Sequence, residues 1–183
     1  MIGLPAATPE SEVYTAEKIC KMGADGARIY PTVVFYETEL SEMAESGKYQ
    51  MLSLDSAVSR SCSALEVFER EGVECIRIGL CASDNLGDAE KVMGGANHSA
   101  MGELVMGELY YRKIKRIIEK YFSENQEEGL SKRRLRVGVP RGELSKAIGQ
   151  RRKNKERLVA EFSLSLLGFY ENDTDEIKLT DIF

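Results

Sequence analysis

Three short runs of β-forming residues, separated by two amphipathic segments of helical length, constrain the front of this chain more than any other feature. Met1-Ile2-Gly3-Leu4-Pro5 reads as the end of a strand, because its apolar residues run directly into Gly and Pro. Thr8 then supplies a cap, Pro9 suits a first helical position, and Glu10 and Glu12 favour the positive end of a helix. Val13, Ala16, Ile19 and Cys20 recur at helical spacing until Gly23 stops the pattern. Residues 27–34 form the second β-rich run, with Pro31 marking its end. After a short helix and loop over 37–47, Ser53 caps a longer helix whose apolar period lasts to Gly72, and 73–80 alternates as a third strand. Strand, helix, strand, helix, strand predicts an α/β fold with a parallel sheet and right-handed crossovers. Three strands are too few to close a barrel, so the expected architecture is a partial, incomplete parallel β/α barrel.

The rest of the chain has a different grammar. Residues 81–96 read as a Gly-, Asp- and Asn-containing loop, His98-Ser99 leads into a long helix over about 100–122, and 123–132 is a polar linker. The last fifty residues give strand (135–139), short helix (143–148), turn (149–152), helix (154–162), strand (163–170) and a third short strand (176–179). The predicted division is 1–80 as the barrel portion, 81–131 as an extension carrying the long helix and linker, and 132–183 as a small β-α-α-β module.

Charge separates that module from the rest. The net charge is −5, yet 132–157 holds eleven Lys or Arg against two Glu, a net of +9 that leaves −14 elsewhere. With 43% hydrophobic and 30% charged residues, the composition is that of a soluble globular protein. No apolar run approaches the roughly 20 residues of a membrane helix, and Met1 onward lacks the charged n-region and long h-region of a secretory signal. A cytoplasmic location is expected. Cys20, Cys62, Cys75 and Cys81 form no CxxC or CxxxCxxC cluster, so no metal site is expected, and reduced cysteines in or near the core are.

Most of the chain resembles a known family. Met-Ile-Gly-Leu-Pro followed by Thr-Pro-Glu resembles the fifth strand and following helix of radical S-adenosylmethionine (SAM) enzymes. Arg28-Ile29-Tyr30-Pro31-Thr32, with Thr38-Glu39-Leu40, Gly47-Lys48-Tyr49 and Leu52-Ser53-Leu54, resembles their sixth strand and its continuation. The branch is that of the Elongator catalytic subunit and its bacterial relatives, with oxygen-independent coproporphyrinogen oxidase-like proteins more distant. Ile76-Arg77-Ile78-Gly79-Leu80 and Asn97-His98-Ser99-Ala100-Met101-Gly102-Glu103-Leu104 resemble that branch's C-terminal extension. For a complete family member the resemblance implies a 4Fe–4S cluster, SAM, and chemistry begun by a 5′-deoxyadenosyl radical. It places Gly3, Leu4, Pro5, Tyr30 and Pro31 on the rim that contacts the adenosine of SAM, mainly through backbone groups. The sequence departs from the family in having Ala6 where a second Gly follows Leu-Pro, and in lacking the first four strands with their CxxxCxxC loop. The chain therefore reads as a C-terminal portion: the product of a split gene, a late internal start, or a stand-alone remnant. No cofactor is expected for it alone, and a chain supplying the missing barrel half is an expected partner.

The basic module suggests a second chemistry. Lys132, Arg133, Arg134, Lys146, Arg151, Arg152, Lys153, Lys155 and Arg157 would neutralise phosphates without reading bases. A KH module clamps nucleic acid with a GXXG turn between two helices. Gly149-Gln150-Arg151-Arg152 takes that place here, with Arg152 where the second Gly would be. Lys146, Arg151, Arg152 and Lys153 are the candidate contacts, and RNA, tRNA in particular, is the expected ligand by analogy with the Elongator branch. The competing reading is a solvated basic face that offsets the acidic front half. His98, the single histidine, is either an acid–base group or a cap for the long helix. Tyr14, Tyr110 and Tyr111 are expected to pack, not to stack on bases.

Overall fold

A computed structural model describes residues 1–81, 86, 88, 90–124 and 134–181. The chain divides into two compact units, Met1–Val105 and Met106–Phe183, with the boundary inside one long helix. The fold is mixed α/β, and among the described residues its strands do not close into a barrel. No described helix is long and apolar enough to cross a membrane.

In the first unit, Thr8 caps α1 (Pro9–Lys21) as expected, its hydroxyl taking the Ser11 N–H at 3.2 Å while Ser11 Oγ takes the Thr8 N–H at 2.9 Å. Strand β1 (Gly26–Ile29) follows, then β2 (Val33–Phe35), helix α2 (Glu39–Glu45), helix α3 (Leu54–Glu71) and β3 (Glu74–Ile78). Ser53 caps α3 and Gly72 ends it in the left-handed conformation, where glycine carries no Cβ penalty. β1 and β3 pair in parallel, the arrangement that a helical crossover demands. Met1–Pro5 contributes one parallel bridge, Ile2 to Pro31, instead of a full strand end. Ile29, Val34, Ala57, Cys62, Leu65 and Phe68 are buried in this unit.

One expectation is corrected here. The strand ends before Pro31, whose missing N–H cannot continue the ladder; residues 33–35 then form a separate strand, β2, that pairs elsewhere. The partner is β4 (Val92–Gly95), antiparallel to β2, which lies within the stretch expected to be loop. Its Val-Met-Gly-Gly sequence gives little β signal, because two glycines occupy half of it.

The second unit is built on α4 (Met101–Glu124), β5 (Arg134–Pro140), α5 (Leu144–Ile148), a 3-10 turn (Gln150–Arg152), α6 (Lys153–Glu161), β6 (Leu166–Asn172) and β7 (Lys178–Asp181). The expected β-α-α-β order is present, and the third strand forms. β5 is central, parallel to β6 and antiparallel to β7. Leu135, Val137, Val139 and Leu167 from the sheet pack with Ile114, Ile118, Ala147 and Leu158 in one buried cluster. Most of the expected linker, with Lys132 and Arg133, lies outside the described residues.

Candidate functional site

The strand rim is held by a buried ion pair that sequence reading treated as helix polarity. Glu12 lies one turn into α1, and its side chain is 5% exposed. It accepts the Gly3 N–H at 2.6 Å, Arg60 Nη2 at 2.6 Å and Arg60 Nε at 2.7 Å, and Arg60 Nη2 also donates to the Ala7 carbonyl at 3.1 Å. The Tyr49 hydroxyl donates to the Gly3 carbonyl at 2.6 Å, and burial pushes that phenol's pKa up. Thr32 Oγ1 closes the corner by donating to the Ile2 carbonyl at 2.7 Å. Gly3 is obligatory in this arrangement: its φ is +81°, and a Cβ there would sit 2.2 Å from Leu52 Cδ1.

Beside this corner opens a cleft of about 520 Å³, lined by Gly3, Leu4, Tyr49, Leu52, Ser53 and Arg60 among others. Of the five rim residues predicted from the resemblance, Gly3 and Leu4 line it. Pro31 is fully buried, Tyr30 gives its carbonyl to the Ile2 N–H at 2.9 Å, and Leu4 and Pro5 are exposed. Both backbone groups of Gly3 are engaged inside the fold. Arg60 and Tyr49 were missed as rim residues; they lie 48 and 46 positions from their partners, a separation that no local pattern reveals.

His98 acts as a cap: its Nδ1 accepts the Ala100 N–H at 3.1 Å at the start of α4. The four cysteines form no disulfide and are dispersed, with Cys62 buried, Cys20 and Cys75 half-buried and Cys81 exposed. Among the described residues no three His, Cys, Asp or Glu side chains are placed to hold a metal ion. The residues present do not fit a 4Fe–4S cluster, which needs convergent thiolates.

In the second unit the basic residues fall into two groups. Arg151, Arg152 and Lys153 are exposed where α5 passes into α6. Arg151 and Arg152 both have left-handed backbone, φ 50° and 65°, and Gly149 has φ 78°. Arg152, at the position of the second glycine of a GXXG turn, thus keeps a backbone conformation that glycine adopts without strain. Two of the other cations in this unit are held in ion pairs. Lys146 pairs with Glu143 at 2.7 Å, and Arg157 stacks 3.5 Å from the centroid of the Tyr111 ring while pairing with Glu108 at 2.7 Å. Tyr111 donates to Glu161, which also binds Lys115; these two contacts hold the Glu161 carboxyl below its ordinary range. Tyr110 and Tyr111 are buried, as expected, but Tyr14 is 58% exposed and lies against Lys18.

The model of the radical SAM C-terminal domain family matches residues 24–111. That stretch, just under half of the chain, is similar to a radical SAM C-terminal domain. The match begins just before β1 and takes in Tyr30 and Pro31, the Tyr49 and Arg60 side chains of the cleft, and the first part of α4. The basic turn lies outside the matched residues. A comparison with curated proteins finds no match for this chain.

Proposed function

We propose that this chain is the C-terminal portion of a radical SAM protein of the Elongator-like or coproporphyrinogen oxidase-like branch, and that on its own it performs no radical chemistry. The family match over 24–111 supports the radical SAM part of this reading, and the branch rests on the sequence resemblance alone. The second half rests on the sequence, which contains no CxxxCxxC run, and on the dispersal of its four cysteines. In a complete member the cluster supplies the electron that cleaves SAM; here the work of the residues is positional. Glu12, Arg60 and Tyr49 fix the Gly3 corner, so that a cluster-bearing chain would meet a rim already shaped. Anaerobic reconstitution with iron and sulfide is expected to leave the protein without stoichiometric iron and without 5′-deoxyadenosine production from SAM. A stoichiometric cluster in the purified chain would overturn the proposal.

A second reading is favoured by one observation. Two consecutive arginines hold left-handed backbone on an exposed turn, at a cost of about 1–2 kcal/mol each, and such strain calls for a functional explanation. We infer that this turn contacts an RNA backbone, tRNA in particular, in the manner of a GXXG clamp with added charge. Binding of unmodified tRNA transcript is expected to weaken with salt and with Arg151→Ala, Arg152→Ala and Lys153→Ala combined. Arg152→Gly is expected to raise the melting temperature while lowering affinity, because it removes strain and a charge together. Affinity indifferent to both salt and the triple change would refute this reading.

A further inference from the structure

The helix-free face of the second unit's sheet carries a feature that neither reading uses. Along β5, Leu135, Val137 and Val139 turn into the core, so Arg134, Arg136 and Gly138 lie on the opposite face. The strand register sets their neighbours: Lys178, Gly138 and Tyr170 form one row, and Thr180, Arg136 and Gly168 the next. Arg134, Arg136 and Lys178 are exposed, and none is ion-paired with a described residue. No Asp or Glu stands at those alternate positions, from Arg134 to Pro140 on β5, Leu166 to Asn172 on β6 and Lys178 to Thr180 on β7. In a chain of net charge −5, such a patch is selective for anions.

Its floor is flat for a specific reason. A Cβ on Gly138 would lie 2.7 Å from Tyr170 Cζ, and one on Gly168 would lie 3.2 Å from Arg136 Cγ. The two glycines therefore let the ring and the arginine stem lie down across the strands. The Arg136 guanidinium then sits over the Tyr170 ring, 4.8 Å from its centroid. A ring and a guanidinium plane laid on a sheet, with cations on two neighbouring strands, combine the two elements that bind single-stranded nucleic acid: a surface that adds a base to a stack, and charge that follows the backbone. An acidic peptide would use the charge but leave the stacked pair without a role.

We propose that this sheet face is a single-stranded nucleic-acid platform, with Arg136 and Tyr170 stacking a base and Arg134 and Lys178 holding flanking phosphates. It is a site separate from the Arg151–Arg152 turn and stands or falls independently. The test uses the full chain with short labelled oligouridylate, oligothymidylate and a hairpin duplex. Both single strands are expected to bind more tightly than the duplex; a preference for oligouridylate would mark a 2′-hydroxyl contact and identify RNA as the ligand. Tyr170→Leu is expected to weaken single-strand binding on the order of tenfold with the salt slope unchanged. Replacing Arg134 and Lys178 with Ser should flatten that slope by about 1.4, at roughly 0.7 per phosphate contact, whereas Lys120→Ser on the exposed side of α4 should not. In the unmodified protein, which avoids any question of misfolding, the Tyr170 ring resonances should shift on titration with either single strand. Equal affinity for the duplex, unmoved Tyr170 resonances, or loss of binding from changes at Arg151 and Arg152 alone would each overturn the platform. The last of these would leave the turn reading intact.

Discussion

Replacing Arg60 with Ala is expected to cost the Met1–Val105 unit about 3–5 kcal/mol, enough to unfold much of it at ordinary temperature. The reason is what remains behind. Glu12 would keep a carboxylate at 5% exposure, still accepting the Gly3 N–H but without the guanidinium that faces both its oxygens. The Ala7 carbonyl would lose its donor at the same time. Glu12→Gln combined with Arg60→Met should recover most of the loss. The amide oxygen can still accept from Gly3, the Met chain fills the Arg stem's volume, and no buried charge is left unpaired. Urea unfolding of the parent and the two variants, followed by circular dichroism, checks this. A single Arg60→Ala variant as stable as the parent would show that the pair carries no weight.

In the second unit, Asn154→Ala is expected to cost about 2–3 kcal/mol. Asn154 is 4% exposed, and its Nδ2 donates to the Gly107 carbonyl at 2.7 Å and to the Lys146 and Ala147 carbonyls at 3.3 Å. Lys146 and Ala147 lie in the last turn of α5, whose carbonyls have no partner within so short a helix. One amide thus ties the end of α5 to α4 and sets where α6 begins. Gly149 packs so closely over it that a Cβ there would stand 2.8 Å from Asn154 Cγ. Asn154→Asp would fail for a different reason, since a carboxylate offers no donor to three carbonyls. Thermal melts should show the Asn154→Ala loss.

Periodicity and capping made most elements legible. The Thr8 and Ser53 caps, the Gly72 stop and the β-α-α-β order all depend on residues within a few positions of one another, and such signals survive in a linear reading. β4 did not, because Val92–Gly95 is a strand by virtue of its partner β2 and has no pattern of its own. The same distinction governs the sites. The basic turn was visible as charge between two helices, yet which cations it keeps was not, since Lys146 and Arg157 are claimed by Glu143 and Glu108. Glu12 was read as a first-turn acid favouring the helix dipole, and its partner 48 residues away makes it a buried anchor. The sheet-face pair Arg136–Tyr170 did have a sequence signal. Arg134 and Arg136 alternate with Leu135 and Val137, which should have placed both arginines on a solvent face.

The central position of β5 has a consequence for how the chain is made. Both of its hydrogen-bonding partners lie downstream, at Leu166–Asn172 and Lys178–Asp181. As synthesis proceeds from the N-terminus, Leu135, Val137 and Val139 must leave the ribosome on a strand with two open edges and wait for some thirty residues to follow. Arg134 and Arg136, interleaved with those apolar side chains, keep that waiting segment charged and disfavour its pairing with other nascent chains. The arginines of the finished sheet's open face thus also protect its unfinished core.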